Sequence, residues 1–369
     1  MVNWETSNIE RRTSNSQWFG CVSFNFGVRC SVFGVQRFFL SKIILLALMV
    51  CRDATTFAAP TNTSHVMPTL EVQVVRADWR DAKRDRNVPV KIYFPQTGAG
   101  PFPVIIFSHG LGGTREGYEY LGRYWAAHGY VSVHLQHAGS DAAVWQDKPV
   151  TELKSSLRQS AAKLDNATNR PLDVSFAIDQ LEKWNRDDSP LKNKLDLARL
   201  GVAGHSFGAF TTLAVAGQVF VAPGDREISY GDPRVRAAIA MSAPVPARKE
   251  LFDRAFGKIK IPVLHMTGTE DYSPIGETRP AERRVPFDHI RGADQFLLTL
   301  TGGDHSVFAG VSRTQPAAKE KQFKELICES STTFWDAYLK DNAKAKAWLT
   351  NDFKTVLAAD GTFEIKPGR

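Results

Sequence analysis

The sequence predicts an α/β fold with a mostly parallel central sheet covered by helices on both faces. From residue 70 onward, short apolar strand patterns alternate with helical patterns, which is typical of parallel sheets. In addition, the pentapeptide Gly204-His-Ser206-Phe-Gly208 joins a short apolar stretch to a helical pattern. This arrangement of small residues is expected of a tight strand-to-helix turn that presents a serine at its tip.

The first elements of the predicted fold are a hairpin and a buried strand. Residues 70–75 and 88–94 alternate between apolar and polar side chains, which predicts a hairpin at the edge of the sheet. The continuous apolar run at 103–107 predicts a strand that is buried on both faces. Residues 118–128 predict a helix that ends at a glycine, and residues 130–135 predict the next strand.

The remainder of the chain continues this alternation. Further strands are predicted at 200–203, 235–241, 261–266 and 295–300, and helices at 150–164, 171–185, 207–219 and 317–350. Since no internal repeat, low-complexity tract or linker interrupts the pattern, we expect a single domain over residues 60–369 without a large cap domain.

Composition narrows the class of protein. The 369 residues are 43% hydrophobic and 23% charged, which is typical of a globular chain. The net charge of +7 is not concentrated in a dense basic run, so we expect no nucleic-acid partner.

Residues 1–59 are predicted to be a targeting segment, or an over-extended N-terminus. The apolar stretch at 38–50 is short for a membrane span, and small residues at Ala58 and Ala59 suit signal cleavage. We therefore expect a secreted or periplasmic protein with no stable membrane span after processing; an N-terminal membrane anchor is the alternative. Processing would remove three of the four cysteines and leave Cys328 without a disulfide partner.

Polar side chains follow the carboxyl ends of the predicted strands. Binding and catalytic residues of parallel sheets usually lie at these ends. Ser108-His-Gly-Leu-Gly-Gly113 follows the strand at 103–107. Ser206 follows the strand at 200–203, Glu270 and Asp271 follow the strand at 261–266, and His305 follows the strand at 295–300. The sequence therefore predicts that a glycine-rich loop, a serine, an acid and a histidine meet at one edge.

Each of these groups has a role in nucleophilic catalysis. Ser206 would attack a carbonyl carbon, and His305 would accept the proton of its hydroxyl. Asp271 would hold the imidazole in the required tautomer. The backbone N–H groups of Leu111 and Phe207 would stabilise the oxyanion of the tetrahedral intermediate.

Two assignments within this set have alternatives. Glu270 and Asp304 are the other candidates for the acid, although Asp304 fits a turn residue better. His109 and His205 flank the strand ends and are expected to be structural. No His-x-x-x-His or Cys-x-x-Cys spacing occurs, so we expect no metal.

The chain resembles the α/β-hydrolase superfamily in three segments: residues 107–118, residues 121–131 and the pentapeptide at 204–208. The segments are most similar to the branch that holds platelet-activating-factor acetylhydrolase-like esterases, dienelactone-hydrolase-like proteins and cutinase-like polyester hydrolases. The similarity covers roughly residues 70 to 340. It implies a serine ester hydrolase without a cofactor, in which Ser206 is the nucleophile and Leu111 and Phe207 donate to the oxyanion.

The position of the acid departs from the acetylhydrolase pattern. In that pattern the acid follows the strand after the nucleophile helix, where this chain has Ala240-Met-Ser-Ala-Pro244. The turn Gly268-Thr-Glu-Asp271 supplies a carboxylate one strand later, as in the dienelactone-hydrolase-like and cutinase-like pattern. The dienelactone hydrolases proper use a cysteine nucleophile, whereas this chain has a serine.

Substrate contacts are predicted for Trp145, which follows a strand end, and for Phe308, which follows His305. The arginines between the acid and the histidine either attract an acidic substrate or form a solvated surface. We expect a fairly open site, a monomer, and small or medium acyl esters, lipid-like or polyester, as substrates. A peptidase or amidase on the same scaffold and a catalytically silent binding protein are the alternative functions.

Overall fold

The computed structural model describes residues 69–276 and 278–368 and confirms the α/β fold. The strands are β1 (Val72–Asp81), β2 (Arg86–Pro95), β3 (Phe102–Ser108), β4 (Val131–Leu135), β5 (Leu195–His205), β6 (Val219–Ala222), β7 (Arg226–Ser229), β8 (Val235–Met241), β9 (Val263–Glu270), β10 (Gln295–Asp304) and β11 (Gly361–Lys366). The helices are α1 (Glu119–Ala127), α2 (Leu153–Ala162), α3 (Leu164–Arg186), α4 (Phe207–Val215), α5 (Phe252–Phe256), α6 (Val285–His289), α7 (Ala317–Leu339), α8 (Ala343–Asn351) and α9 (Phe353–Leu357).

Within the described residues, nine strands form one sheet in the order β1-β2-β4-β3-β5-β8-β9-β10-β11. The six strands from β4 to β10 in this order run parallel. The hairpin of β1 and β2 closes one edge, and antiparallel β11 closes the other. The carboxyl ends of β3, β5, β8, β9 and β10 therefore lie along one edge of the sheet.

The sheet is buried on both faces because adjacent residues of its strands face different apolar clusters. In β3, Val104 and Ile106 belong to one cluster, while Ile105 and Phe107 belong to the other. Helices α3, α4 and α5 cover the first face, and helices α1, α7, α8 and α9 cover the second. This two-sided burial is what the continuous apolar run in β3 predicts.

Two predicted helices had wrong boundaries. The helix predicted at 207–219 ends at Val215, since Gly217 has a φ of 111°, and the following residues form the β6–β7 hairpin. The helix predicted at 317–350 divides into α7 and α8, because Asp341 has a positive φ and Asn342 caps the second helix through its side chain. Strand β11 was not predicted.

The predicted targeting segment at 1–59, with its cysteines and its cleavage site, lies outside the described residues and stays a prediction. Among the helices of the described ranges, none is both long and apolar enough to cross a membrane.

Candidate active site

The turn between β5 and α4 places Ser206 at the carboxyl edge of the sheet. Ser206 has φ 57° and ψ −116°, a backbone conformation that residues other than glycine adopt only with strain. A Cβ on Gly204 would lie 2.4 Å from the backbone of Gly208, and one on Gly208 would lie 1.9 Å from the carbonyl oxygen of Ser108. Both glycines are therefore required for the close approach that holds this turn.

The structure brings Ser206, His305 and Asp271 together. The Oγ of Ser206 lies 3.0 Å from Nε2 of His305, and Nδ1 of His305 lies 2.6 Å from Oδ1 of Asp271. The second oxygen of Asp271 accepts a hydrogen bond of 2.9 Å from Thr267. With its proton on Nδ1, the imidazole donates to the carboxylate and can accept the proton of the serine.

Among the three acid candidates, Asp271 is the one whose carboxylate forms a hydrogen bond with the imidazole of His305. Its side chain is buried, whereas Glu270 is exposed. Burial alone would raise the pKa of Asp271, but the hydrogen bond to His305 and the charge of Arg283 outweigh it and hold the pKa below its ordinary value. Asp271 is therefore a carboxylate that can stabilise an imidazolium.

Asp304 instead orders the turn that follows His305. Its carboxylate accepts hydrogen bonds from the backbone N–H groups of Ser306 (2.8 Å), Arg313 (2.8 Å) and Thr314 (3.1 Å), and from the hydroxyl of Ser312. This agrees with its interpretation as a turn residue.

Arg283 is a residue of the site that sequence reasoning missed. Its buried guanidinium donates to the carbonyl oxygens of Ser242 (2.9 Å) and Ala243 (3.0 Å). Nη2 lies 3.4 Å from Oδ1 of Asp271 and 3.4 Å from Nδ1 of His305. A buried positive charge thus contacts the acid–histidine pair, and no sequence pattern distinguished it from the neighbouring arginines.

Two other arginines of this region form surface ion pairs. Arg284 pairs with Asp288 and Glu364, and Arg291 pairs with Asp253. Since these charges are already paired, the solvated-surface interpretation fits them better than capture of an acidic substrate.

The glycine loop that follows β3 lies against the serine turn. A Cβ on Gly110 would lie 3.4 Å from the carbonyl oxygen of His205, which places this loop beside the turn. The N–H groups on either side of Leu111 are occupied: Gly110 donates to Tyr118 Oη (3.4 Å) and Gly112 to the carbonyl of Ser140 (2.9 Å).

The N–H groups of Leu111 and Phe207 have no acceptor among the described residues. Phe207 is the first residue of α4, where backbone N–H groups lack an intrahelical partner. Both N–H groups are therefore available as hydrogen-bond donors.

His109 and His205 are buried, as expected of structural histidines. Burial lowers the pKa of both well below its ordinary value, so both rings are uncharged near neutral pH. His205 accepts or donates a 2.8 Å hydrogen bond at Nδ1 with the hydroxyl of Tyr118, and its ring centroid lies 4.7 Å from that of His305. We therefore interpret both as structural residues, with His205 packed against the ring of His305.

The two predicted substrate contacts have different surroundings. Trp145 is 39% exposed, and its indole N–H donates to the carbonyl of Gly112 at 2.7 Å, so its ring lies beside the glycine loop. Phe308 is fully buried and packs 5.9 Å from the ring of His205. The prediction that Phe308 contacts substrate does not fit this burial, and we interpret it as a core residue.

A second Ser–His–Asp arrangement lies in the interior. Nδ1 of His137 is 2.9 Å from Asp173, and its Nε2 is 3.1 Å from Oγ of Ser108. Asp173 also accepts hydrogen bonds from Arg84 (2.8 Å) and Arg86 (2.8 Å). Because Ser108, His137 and Asp173 are all buried, no substrate reaches this serine, and we interpret the cluster as structural.

Metal ligands are not clustered in the part of the chain that the structure describes: no group of three His, Cys, Asp or Glu side chains is placed to hold an ion.

Comparison with known proteins relates this chain to ester hydrolases. Residues 84–325 match the family described as "Platelet-activating factor acetylhydrolase, isoform II". The chain is 26% identical over 220 residues to a platelet-activating factor acetylhydrolase of Cavia porcellus, covering 53% of this chain and 47% of that protein. It is 25% identical over 236 residues to the corresponding protein of Bos taurus, covering 56% and 48%.

A bacterial relative is also similar. The chain is 31% identical over 250 residues to "Cutinase est2" of Thermobifida alba, covering 66% of this chain and 68% of that protein. The chain thus spans about half the length of the acetylhydrolases and about two thirds of the cutinase that it matches.

The buried cluster generates a prediction about stability. Burial would raise the pKa of Asp173, but hydrogen bonds from His137 and Arg86 lower it to about 2. Since this is below the ordinary value of about 3.9, the carboxylate stabilises the fold above pH ~4, and this stabilisation is lost as the pH falls through about 2. We expect Asp173→Asn to lower the free energy of unfolding by about 3 kcal/mol at pH 7, because it leaves buried arginine charge unpaired.

Urea denaturation between pH 2 and pH 7 measures this effect. The difference between wild type and Asp173→Asn should be largest above pH ~4 and should shrink toward pH 2. The control is Asp85→Asn, at an exposed carboxylate on the surface, which should change stability by less than about 0.5 kcal/mol. Equal stability of wild type and Asp173→Asn at pH 7 would contradict the interpretation.

Proposed function

The chain belongs to the family of platelet-activating factor acetylhydrolase, isoform II, and we propose that it hydrolyses carboxylic esters through an acyl-enzyme formed on Ser206. The observation that carries this proposal is the continuous hydrogen-bond chain from Ser206 through His305 to Asp271 at the edge of the sheet. The names of the relatives, acetylhydrolase and cutinase, favour esters as substrates.

In the first half of the reaction, Oγ of Ser206 attacks the carbonyl carbon of the ester. Nε2 of His305 accepts the hydroxyl proton as the new C–O bond forms, which removes the need for a free alkoxide. The carboxylate of Asp271 stabilises the resulting imidazolium through Nδ1. His305 then gives the proton to the leaving alcohol as its C–O bond breaks, and the acyl group remains on Ser206.

Negative charge develops on the carbonyl oxygen during this attack. The N–H groups of Leu111 and Phe207 would donate to this oxygen, since both are otherwise without an acceptor among the described residues. Loss of one such donor typically costs about 3–4 kcal/mol of activation free energy.

In the second half, a water molecule replaces the alcohol. The oxygen of the water attacks the acyl carbon while His305 accepts a proton from the water. His305 then gives that proton to Oγ of Ser206 as the bond between Oγ and the acyl carbon breaks and the carboxylic acid leaves. The same donors stabilise the second tetrahedral intermediate, so no further group is required.

We propose small or medium acyl esters as substrates, with Trp145 forming one wall of the binding site. The exposed part of its ring lies beside the loop that holds Leu111, and an acyl or alcohol group bound at Ser206 would lie next to this loop. Phe308 is not part of this proposal. Lipid-like and polyester substrates, a monomeric state and export remain predictions from the sequence.

The proposal is tested with Ser206→Ala. We expect kcat/KM for p-nitrophenyl acetate to fall by about 10⁴-fold or more, because the nucleophile is removed, and labelling by a fluorophosphonate to be lost. The control is Ser155→Ala, at an exposed serine of α2, which should keep wild-type activity. Ester hydrolysis that survives in Ser206→Ala would contradict the assignment, and hydrolysis of anilides but not esters would favour an amidase.

The assignment of the acid is tested by comparing three variants. We expect Asp271→Asn to lower kcat by about 10³- to 10⁴-fold, since the imidazole loses its orienting carboxylate. Glu270→Gln should stay near wild type. Asp304→Asn should mainly lower the melting temperature, because its carboxylate holds the following turn. It should lower kcat much less than Asp271→Asn does. The assignment is wrong if Asp271→Asn is the harmless variant.

The role of Trp145 is tested with p-nitrophenyl butyrate as substrate. We expect Trp145→Ala to raise KM for p-nitrophenyl butyrate about fivefold, which corresponds to a lost contact of about 1 kcal/mol. Trp145→Phe keeps an aromatic ring but removes the N–H that donates to Gly112. It therefore distinguishes contact of the ring with the substrate from the hydrogen bond that holds the glycine loop. An unchanged KM in Trp145→Ala would show that the ring does not contact the substrate.

A further inference from the structure

Arg170 of helix α3 is a fully buried arginine that makes three hydrogen bonds in three different segments. Nε donates to Oγ1 of Thr211 at 2.8 Å, and Nη1 donates to Oγ of Ser140 at 2.9 Å. Nη2 donates to the carbonyl oxygen of His109. Long charged side chains are rarely buried to this extent unless their partners are fixed.

Two of these hydrogen bonds brace the loop that holds Leu111. His109 lies two residues before Leu111 and presents its carbonyl to Arg170. Ser140, whose hydroxyl accepts from Arg170, presents its own carbonyl to the N–H of Gly112 at 2.9 Å. The loop is therefore held on both sides of Leu111.

The remaining contacts of Arg170 brace the start of helix α4. Thr211 accepts from Nε of Arg170 and donates its own hydroxyl to the carbonyl of Phe207 at 3.0 Å. The guanidinium also lies 4.6 Å from the centroid of the Phe207 ring, within the range of a cation–π contact. One rigid group thus contacts both segments that carry these unpaired backbone N–H groups.

The properties of a guanidinium suit this position. Its planar set of donors is fixed in geometry, and hydrogen bonds from a charged donor in a low-dielectric interior are stronger than neutral ones. Asp173, on the next turn of α3, offsets the buried charge. The glycine loop lies outside the strands and helices, so it lacks the backbone ladder that would otherwise fix it.

We propose that Arg170 is a positioning residue that sets the distance between the two oxyanion donors, the N–H groups of Leu111 and Phe207. This inference rests on the proposed function, in which those donors stabilise the transition state. Arg170 touches neither the substrate nor Ser206, His305 and Asp271. Its effect falls on the transition state, because the oxyanion forms only there, and substrate affinity should change little.

The test compares Arg170→Met and Arg170→Lys with a matched control. Kinetics of p-nitrophenyl acetate are measured per active site, with sites counted by fluorophosphonate titration. We expect Arg170→Met to lower kcat about 30- to 100-fold with KM within about twofold, as for donors displaced by a fraction of an ångström. Arg170→Lys keeps the charge but not the three-way geometry, so its kcat should fall between those of Arg170→Met and wild type.

The control is Arg86→Met, which removes another arginine that binds Asp173. Arg86 contacts neither His109 nor Thr211 nor Phe207 among the described residues, so this variant should lose stability but keep kcat within about threefold. A second readout is the affinity for a boronic acid, whose tetrahedral adduct places an oxygen between the donors. This affinity should fall with kcat in Arg170→Met and not in Arg86→Met.

The proposal is overturned if Arg170→Met retains kcat within about threefold of wild type, or if Arg86→Met loses as much kcat as Arg170→Met. If Arg170→Met does not fold, the double variant Ser140→Ala/Thr211→Val removes two acceptors of Arg170 instead. It should then lower kcat more than about tenfold at constant KM, and retention of kcat would overturn the proposal. Failure of the proposed function is distinguishable, because wild type itself would then show no ester hydrolysis and no labelling of Ser206.

Discussion

The site depends on one close approach between the end of strand β3 and the start of helix α4. The carbonyl oxygen of Ser108, at the end of β3, lies where any side chain on Gly208 at the start of α4 would clash. Because of this contact, the loop that follows β3 and the turn that follows β5 pack directly against each other. The positions of Ser206, of the N–H of Phe207 and of the glycine loop are therefore not independent. The strained backbone of Ser206 persists because the packing around both glycines leaves the chain no other path.

Burial decides what a Ser–His–Asp arrangement can do in this protein. Ser206 and Ser108 each lie within hydrogen-bond distance of a histidine that is itself held by an aspartate. Ser206 is half-buried on the turn at the edge of the sheet, whereas Ser108, the last residue of β3, is 2% exposed. The inner arrangement satisfies polar groups that would otherwise be buried without partners. Hydrogen-bond geometry alone would not distinguish the two.

The sequence predicted the elements whose signals are local. Apolar runs that alternate with helical patterns predicted all six parallel strands. The polar residues after the strand ends pointed to Ser206, Asp271 and His305, since parallel strands bring those ends together. Arg170 and Arg283 were missed because burial of a charged side chain depends on partners from distant segments, and no local pattern reports it. The predicted substrate contact of Phe308 does not fit its burial for a related reason: closeness to His305 along the chain does not fix the direction in which the ring points. The helix after Ser206 was drawn too long because the helical pattern does not reveal the positive φ at Gly217.

Asp271 follows a later strand than the acid of the acetylhydrolase pattern does. The order of the strands in the sheet explains why a carboxylate in either position can reach His305. Strands β8 and β9 are neighbours, so a carboxylate after either one reaches the edge where His305 lies. Here the residues after β8 carry no carboxylate, but the carbonyls of Ser242 and Ala243 bind the guanidinium of Arg283, which in turn faces Asp271. The N–H of Ser242 also donates to the carbonyl of Met266 in β9 at 2.7 Å. The carbonyls at the end of β8 thus hold Arg283 in place. The hydrogen bond from His305 and the charge of Arg283 together outweigh burial and keep the pKa of Asp271 below its ordinary value.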